Sequence, residues 1–184
     1  MTIGLDIDNT LVNTKEAMYK FIYEDDRKEE LLDNINHLTS GNTKNEMVKY
    51  FYKKYAIKIF ENAKLMDGAK EALDYLNKQK FKILFVTIRG DADKFYRGSY
   101  QVSLDYFKKY NIHYSKILFD SRDKANVCKS ENIDIMLDDS LKVVSRVSKT
   151  KTRAILFNFK NKQNYGHEQV ASWQEFINII KEIS

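Results

Sequence analysis

Two aspartates, Asp6 and Asp8, stand two residues apart at the end of an apolar run, IGLDIDNTLVNT at 3–14. Alternate residues of an extended strand share a face. Two like charges there repel and lose hydration, so they weaken a core strand unless something uses them. A second pair, Asp138-Asp139, follows another apolar run, IDIML at 133–137. Thr87 ends the run KILFVT at 82–87 and leads into Ile88-Arg89-Gly90. After KILF at 116–119 comes Asp120-Ser121-Arg122-Asp123-Lys124. Carboxylates gathered without compensation drive one another's pKa upward. A hard cation such as Mg²⁺ resolves the conflict, because it takes a few carboxylate oxygens and keeps its other positions for water and substrate phosphate. A lysine and a hydroxyl nearby suit phosphate oxygens. The chemistry open to this set is phosphoryl transfer to a carboxylate nucleophile.

These residues act together only if the chain brings them together. The runs at 2–7, 82–87, 116–119, 133–137 and 153–157 are almost continuously apolar, the pattern of strands buried on both faces in a parallel sheet. Helical patterns separate them. Ala69, Ala72, Leu73 and Leu76 form one face behind Gly68, and Val102, Tyr106, Phe107 and Tyr110 form another. The last helix is expected to open at a capping box, Ser172–Glu175. Strand–helix alternation predicts an α/β fold, a three-layer α/β/α sandwich on a five-stranded parallel sheet. Ligands of such sheets bind beyond the carboxyl ends of the strands, where all the residues above fall. About fifty-five residues after the first strand lack a strand pattern and exceed what a crossover needs. They predict helices near Asn13, over 28–37 and after a capping box Thr43–Glu46, inserted at the mouth of the sheet. The expected division is a core of 1–13 and 67–184 with a helical cap at 14–66.

Composition narrows the classes. The chain has 184 residues, 43% of them hydrophobic and 31% charged, which suits one folded domain. No apolar run has the length of a membrane span, and no basic-then-apolar leader pattern stands at the start. The single cysteine, Cys128, excludes an internal disulfide and fits a reducing cytoplasm. Its apolar setting marks it as a packed thiol. Net charge is +5, and the segment 141–162 holds seven basic residues and no acid. That segment is either a solvated helix face with its loop or a field drawing in an anionic substrate. No nucleic-acid-binding signature accompanies it.

DIDNT at 6–10, Thr87, Lys124 and Asp138-Asp139 resemble, in order, the four motifs of the haloacid dehalogenase (HAD) superfamily, and the insertion looks like that superfamily's C1 cap. The resemblance implies that Asp6 is the nucleophile forming an aspartyl-phosphate. Asp8 would be the general acid and then the base, its backbone carbonyl a Mg²⁺ ligand. Thr10 would position Asp8, Thr87 would hold the transferring phosphoryl group, and Lys124 would neutralise nucleophile and phosphate. Asp138, with Asp139 as second or water-mediated ligand, would complete the Mg²⁺ site alongside Asp6. An acid at position 8 separates phosphatases from dehalogenases in this superfamily. Lys116 and Lys129 compete with Lys124 for its role, and Arg89 could touch phosphate or only cap a loop.

The segments MDGAKEALDYLNKQKFKILFVTIRG and SRDKANVCKSENIDIMLDDS resemble, more narrowly, the deoxy(pyrimidine) cytosolic 5′-nucleotidase family and its bacterial relatives. Thr-Ile-Arg stands after the second strand where animal members have Thr-Ser-Pro. The resemblance implies a small phosphorylated metabolite as substrate, with nucleoside 5′-monophosphates first and phosphosugars second. A binding module on the same scaffold is the alternative outside enzymes. Insertion aromatics could stack on a base; Phe21 and Tyr19, just after the first motif, are the expected contacts.

Overall fold

A computed structural model describes residues 1–39, 44–92, 94–159 and 163–183. Its elements run β1 (Thr2–Leu5), α1 (Thr14–Glu24), α2 (Lys28–Asp33), α3 (Ile35–Thr39), α4 (Glu46–Asn62), α5 (Ala69–Lys78), β2 (Lys82–Val86), α6 (Ser99–Lys109), β3 (Lys116–Leu118), α7 (Lys124–Ser130), β4 (Ile135–Asp138), α8 (Leu141–Val147), β5 (Arg153–Phe157), β6 (Gln169–Val170) and α9 (Trp173–Ile183). The sheet order is β3-β2-β1-β4-β5-β6, every pairing parallel. Six strands stand where the sequence predicts five. The sixth, β6, is two residues long and pairs Gln169 with Leu156 and Val170 with Phe157. A two-residue strand carries no periodicity to read.

The pleat sorts the core into two layers. Ile83, Phe85, Ile135, Leu137, Ile155 and Phe157 face one side, with Leu73, Phe107, Trp173 and Phe176 from α5, α6 and α9. Leu84, Val86, Met136, Ala154 and Leu156 face the other, with Cys128 of α7 and Val144 and Val147 of α8. Strands buried on both faces explain the unbroken apolar runs. The second layer is tight: a Cβ on Gly4 would lie 2.8 Å from the Met136 sulfur, so β1 needs glycine there.

β1 lies between β2 and β4, so Asp6 leaves the sheet at its centre. The regular elements of the insertion are all helices among its described residues. Asn13 caps α1, its side chain accepting from the Glu16 N–H at 3.1 Å. The expected helix over 28–37 is divided at Asn34, whose N–H closes α2 on the Glu30 carbonyl and whose carbonyl accepts from the His37 and Leu38 N–H groups of α3. Thr43 lies outside the described residues; the cap of α4 is Asn45, which accepts from the Met47 and Val48 N–H groups. Ser172 accepts from the Glu175 N–H at 3.2 Å, as expected at the start of α9. The chain enters and leaves the insertion side by side, through Asn13 N–H to the Lys64 carbonyl (2.8 Å) and Met66 N–H to the Leu11 carbonyl (2.9 Å).

Candidate active site

Asp6 stands one residue past β1, its N–H held by the Leu137 carbonyl of the neighbouring strand at 3.0 Å. Its carboxyl accepts from Lys124 Nζ. Lys124 is the first residue of α7, a helix capped by Asp123, and its side chain is buried. The same ammonium donates to Asp138 Oδ2 at 2.7 Å, and the other oxygen of Asp138 accepts from the Ser140 N–H at 2.9 Å. Carboxylate oxygens of Asp6, Asp138 and Asp139 all lie within 4.8 Å of one another. One lysine cannot balance three acids. Burial pushes Asp6 up, Lys124 opposes it, and Asp138 and Asp8 add to the rise, leaving Asp6 at about 7. Asp139 is raised well above the carboxylate range, by burial first and then by Asp6 and Asp138. Burial lowers Lys124, but Asp138 and Asp6 outweigh it and hold the ammonium charged. This oxygen-only set, short of positive charge, fits a hard divalent cation such as Mg²⁺.

Asp8 sends its carboxylate another way. Arg89 Nε donates to Oδ2 at 3.0 Å and Arg89 Nη2 to Oδ1 at 2.7 Å, while Thr14 Oγ1 donates to Oδ1 at 2.5 Å. Burial raises its pKa, but the Arg89 charge and the bonds from Arg89 and Thr14 more than offset that, so Asp8 sits below the usual carboxylate value. Its carboxylate is outside the acidic cluster. Thr10 makes no bond to Asp8: its carbonyl accepts from Trp173 Nε1 at 3.0 Å, and its buried Oγ1 has no partner among the described residues. Thr14 and Arg89, not Thr10, are the side chains bonded to Asp8. Thr87 is buried at the end of β2, its Oγ1 accepting from the Arg89 N–H at 3.1 Å and its own proton left to donate.

A cavity of about 510 Å³ opens over these groups. Asp6, Asp8, Lys124, Asp138 and Asp139 form its floor; Tyr52 and Phe60 of α4, with Tyr96 and Ile88, form its walls. The structure does not bring the expected aromatics here. Phe21 is buried in the insertion and stacks on Tyr55 at 5.3 Å, and Tyr19 stacks on Tyr23 at 6.4 Å. A position just after the first motif is near the site in sequence, but α1 turns its apolar face into the insertion. The wall aromatics come from α4 and the segment before α6, whose meeting is tertiary. Tyr52 and Phe60 were signalled only as part of the aromatic supply of the insertion, and Tyr96, outside it, was not signalled.

Lys116 pairs with Glu131, and Lys129 lines a different cavity, which leaves Lys124 at the acids. Within 141–162, Arg146 pairs with Asp123 and Arg153 with Glu168, and Lys149 and Lys151 line that other cavity. Lys160 and Lys162 lie outside the described residues, and none of the described basic residues of the segment lines the site cavity.

A central strand delivering one acid to a lysine and another to an arginine, on a parallel sheet with a helical insertion behind it, defines a HAD-type hydrolase fold, and solved structures share it. A predicted phosphatase from Clostridium acetobutylicum is 20% identical, with 98% of each chain covered and a TM-score of 0.69. A proposed HAD-hydrolase, YfnB from Bacillus subtilis, bound to magnesium, is 15% identical, with 97% of each chain covered and a TM-score of 0.69. A HAD-superfamily hydrolase from Ehrlichia chaffeensis is 13% identical, covering 99% of this chain and 96% of its own, with a TM-score of 0.57. Residues 1–183 match the family described as 5′ nucleotidase, deoxy (Pyrimidine), cytosolic type C. The chain belongs to that family, one of phosphoric monoester hydrolases. A sequence search of curated proteins finds no match. No helix among the described residues is long and apolar enough to cross a membrane.

Proposed function

We propose that the protein is a Mg²⁺-dependent phosphomonoesterase that works through an aspartyl-phosphate on Asp6, in the cytoplasm, with nucleoside 5′-monophosphates, deoxyribonucleotides included, as its substrates. The observation that carries this reading is the set of three clustered carboxylates, two of them sharing Lys124, on the floor of a cavity with aromatic walls. Asp6, Asp138, Asp139 and the backbone carbonyl of Asp8 would hold the ion. When bound, Mg²⁺ supplies the positive charge that lets an anionic carboxylate approach an anionic phosphate.

An Asp6 oxygen attacks phosphorus as the ester P–O bond breaks, and the electron pair of that bond leaves with the alcohol oxygen. Asp8, which Arg89 and Thr14 hold ionised in the free protein, takes a proton from solvent once the phosphate anion sits beside it, and gives that proton to the leaving oxygen. Water then attacks phosphorus, Asp8 takes the water proton, and the bond from phosphorus to Asp6 breaks to free phosphate and restore the carboxylate. Lys124 neutralises charge between Asp6 and the phosphoryl oxygens, and the Thr87 hydroxyl donates to one of them. Residues 14–66 act as a cap over a core of 1–13 and 67–184. Tyr52, Phe60 and Tyr96 give an aromatic base flat apolar faces, while the floor holds the phosphate.

The test is hydrolysis of a panel of phosphomonoesters with Mg²⁺ and with chelator. Higher kcat/KM for nucleoside monophosphates than for phosphosugars, lost in EDTA, is expected. Preference for phosphosugars would overturn the substrate, full turnover in EDTA the metal, and no turnover of any ester the activity.

A further inference from the structure

After Trp173, Arg89 is the largest fully buried side chain in the described molecule, and the chemistry above gives it no part. Its backbone is clamped. The Arg89 N–H donates to Thr87 Oγ1 at 3.1 Å and its carbonyl accepts from the Asp120 N–H at 2.8 Å. The next residue must be glycine, since a Cβ on Gly90 would fall 2.2 Å from an Asp120 carboxylate oxygen. The guanidinium is placed as firmly. Two of its nitrogens grip the two Asp8 oxygens, Nη1 donates to Ser103 Oγ at 3.3 Å, and Phe60 covers its face at 4.1 Å. Ser103 is itself fixed, donating to the Ser99 carbonyl at 2.8 Å. Its polar contacts on the floor go to Asp8, and none reaches Asp6 or Asp138. A planar fork on a carboxylate fixes direction as well as distance, which a lysine cannot do.

We infer that Arg89 is a positioning residue for Asp8: its fork, seated under Phe60 of the insertion, aims the carboxyl that exchanges protons with the leaving oxygen and with water, and it does not bind the phosphoryl group. The inference rests on the phosphatase reading above. Misaiming a proton donor hurts only when the leaving oxygen needs a proton. An alkyl alkoxide needs one; p-nitrophenolate does not.

Arg89→Lys and Arg89→Met are therefore assayed on p-nitrophenyl phosphate and on the best nucleoside monophosphate. Arg89→Lys keeps the charge and most of the volume, so it stands if Arg89→Met fails to fold. The ratio of the two kcat values cancels any loss of folded protein. In Arg89→Lys, kcat should fall about 100-fold on the alkyl ester, the scale of a lost general acid, and less than about 10-fold on the aryl ester, with KM little changed. Equal losses on both esters, or a raised KM with kcat kept, would overturn the inference while leaving the phosphatase reading in place. An unaltered protein inactive on both esters would overturn both.

Discussion

Two buried carboxylates, Asp6 in the core and Asp25 in the helical insertion, meet opposite surroundings. Asp25 accepts from Lys54 Nζ at 2.7 Å, Tyr55 OH at 2.7 Å, Tyr50 OH at 3.0 Å and the Arg27 N–H at 2.8 Å. Burial raises it, but the bonds from Lys54, Tyr55, Arg27 and Tyr50 win, and its pKa falls far below the usual range. Asp6 shares a single lysine with Asp138 and lies beside Asp139, and its pKa rises to about 7. One site surrounds a single acid with donors and ties α1, α2 and α4 together. The other crowds acids around too little positive charge. Buried charges left unbalanced cost stability, and the cation and phosphate of the proposed reaction would supply the balance the second arrangement lacks.

The contrast is broken most severely at the nucleophile. Asp6→Asn should lower turnover by more than about 10⁴-fold, as removal of a nucleophile does elsewhere, and steady-state phosphate release reads it. Asp8→Asn keeps the acidic cluster and should cost about 10²–10⁴-fold on nucleoside monophosphates, the range for a general acid–base. Asp25→Ala should act on stability alone. Stranding two tyrosine hydroxyls and a lysine should cost about 2 kcal/mol in chemical denaturation, with kcat of the folded fraction retained.

The smallest effect is one of pH, and its sign differs between the two acids. Asp25 is depressed in the folded state, so its contribution is present above the unfolded value near 4 and is lost as pH falls further. Asp6 is raised, so the folded state binds more protons than the unfolded between about 4 and about 7. In chelator, stability contributed by Asp6 should decline as pH rises through that window. Thermal melts of the native protein and Asp6→Asn from pH 4.5 to 7.5 check this: the variant should show the shallower decline, and equal slopes would contradict the assignment.

The sequence exposed the parts of this molecule whose cause is local. Five of the six strands follow the apolar runs to within a residue or two, and Asp6, Asp8, Thr87, Asp138 and Asp139 sit at or just past the strand ends where the runs put them, with Lys124 opening the helix after β3. β6 was hidden because two residues hold no pattern. The Asp8–Arg89 pair was hidden by 81 positions of separation, although both residues leave adjacent strands, β1 and β2, paired Leu5 to Phe85. Parallel pairing of those two runs, once assumed, brings the two residues to similar height above the sheet. The cavity walls were legible only as a supply of aromatics in the insertion, with no sign of which of them face the site. Tyr52, Phe60 and Tyr96 meet through packing of α4 against α6, and Phe21 and Tyr52 look alike in sequence until their helices are oriented.

The claim that Asp6 is the nucleophile is tested most directly by trapping the enzyme in mid-reaction. Asp8→Asn lacks the base for the second step, while p-nitrophenyl phosphate needs no acid in the first. Mixed with Mg²⁺ and quenched in acid, that variant should carry one phosphoryl group, labile to hydroxylamine, on the peptide containing Asp6. A phosphoryl group on any other peptide, or none while p-nitrophenol is released in a burst, would contradict the account.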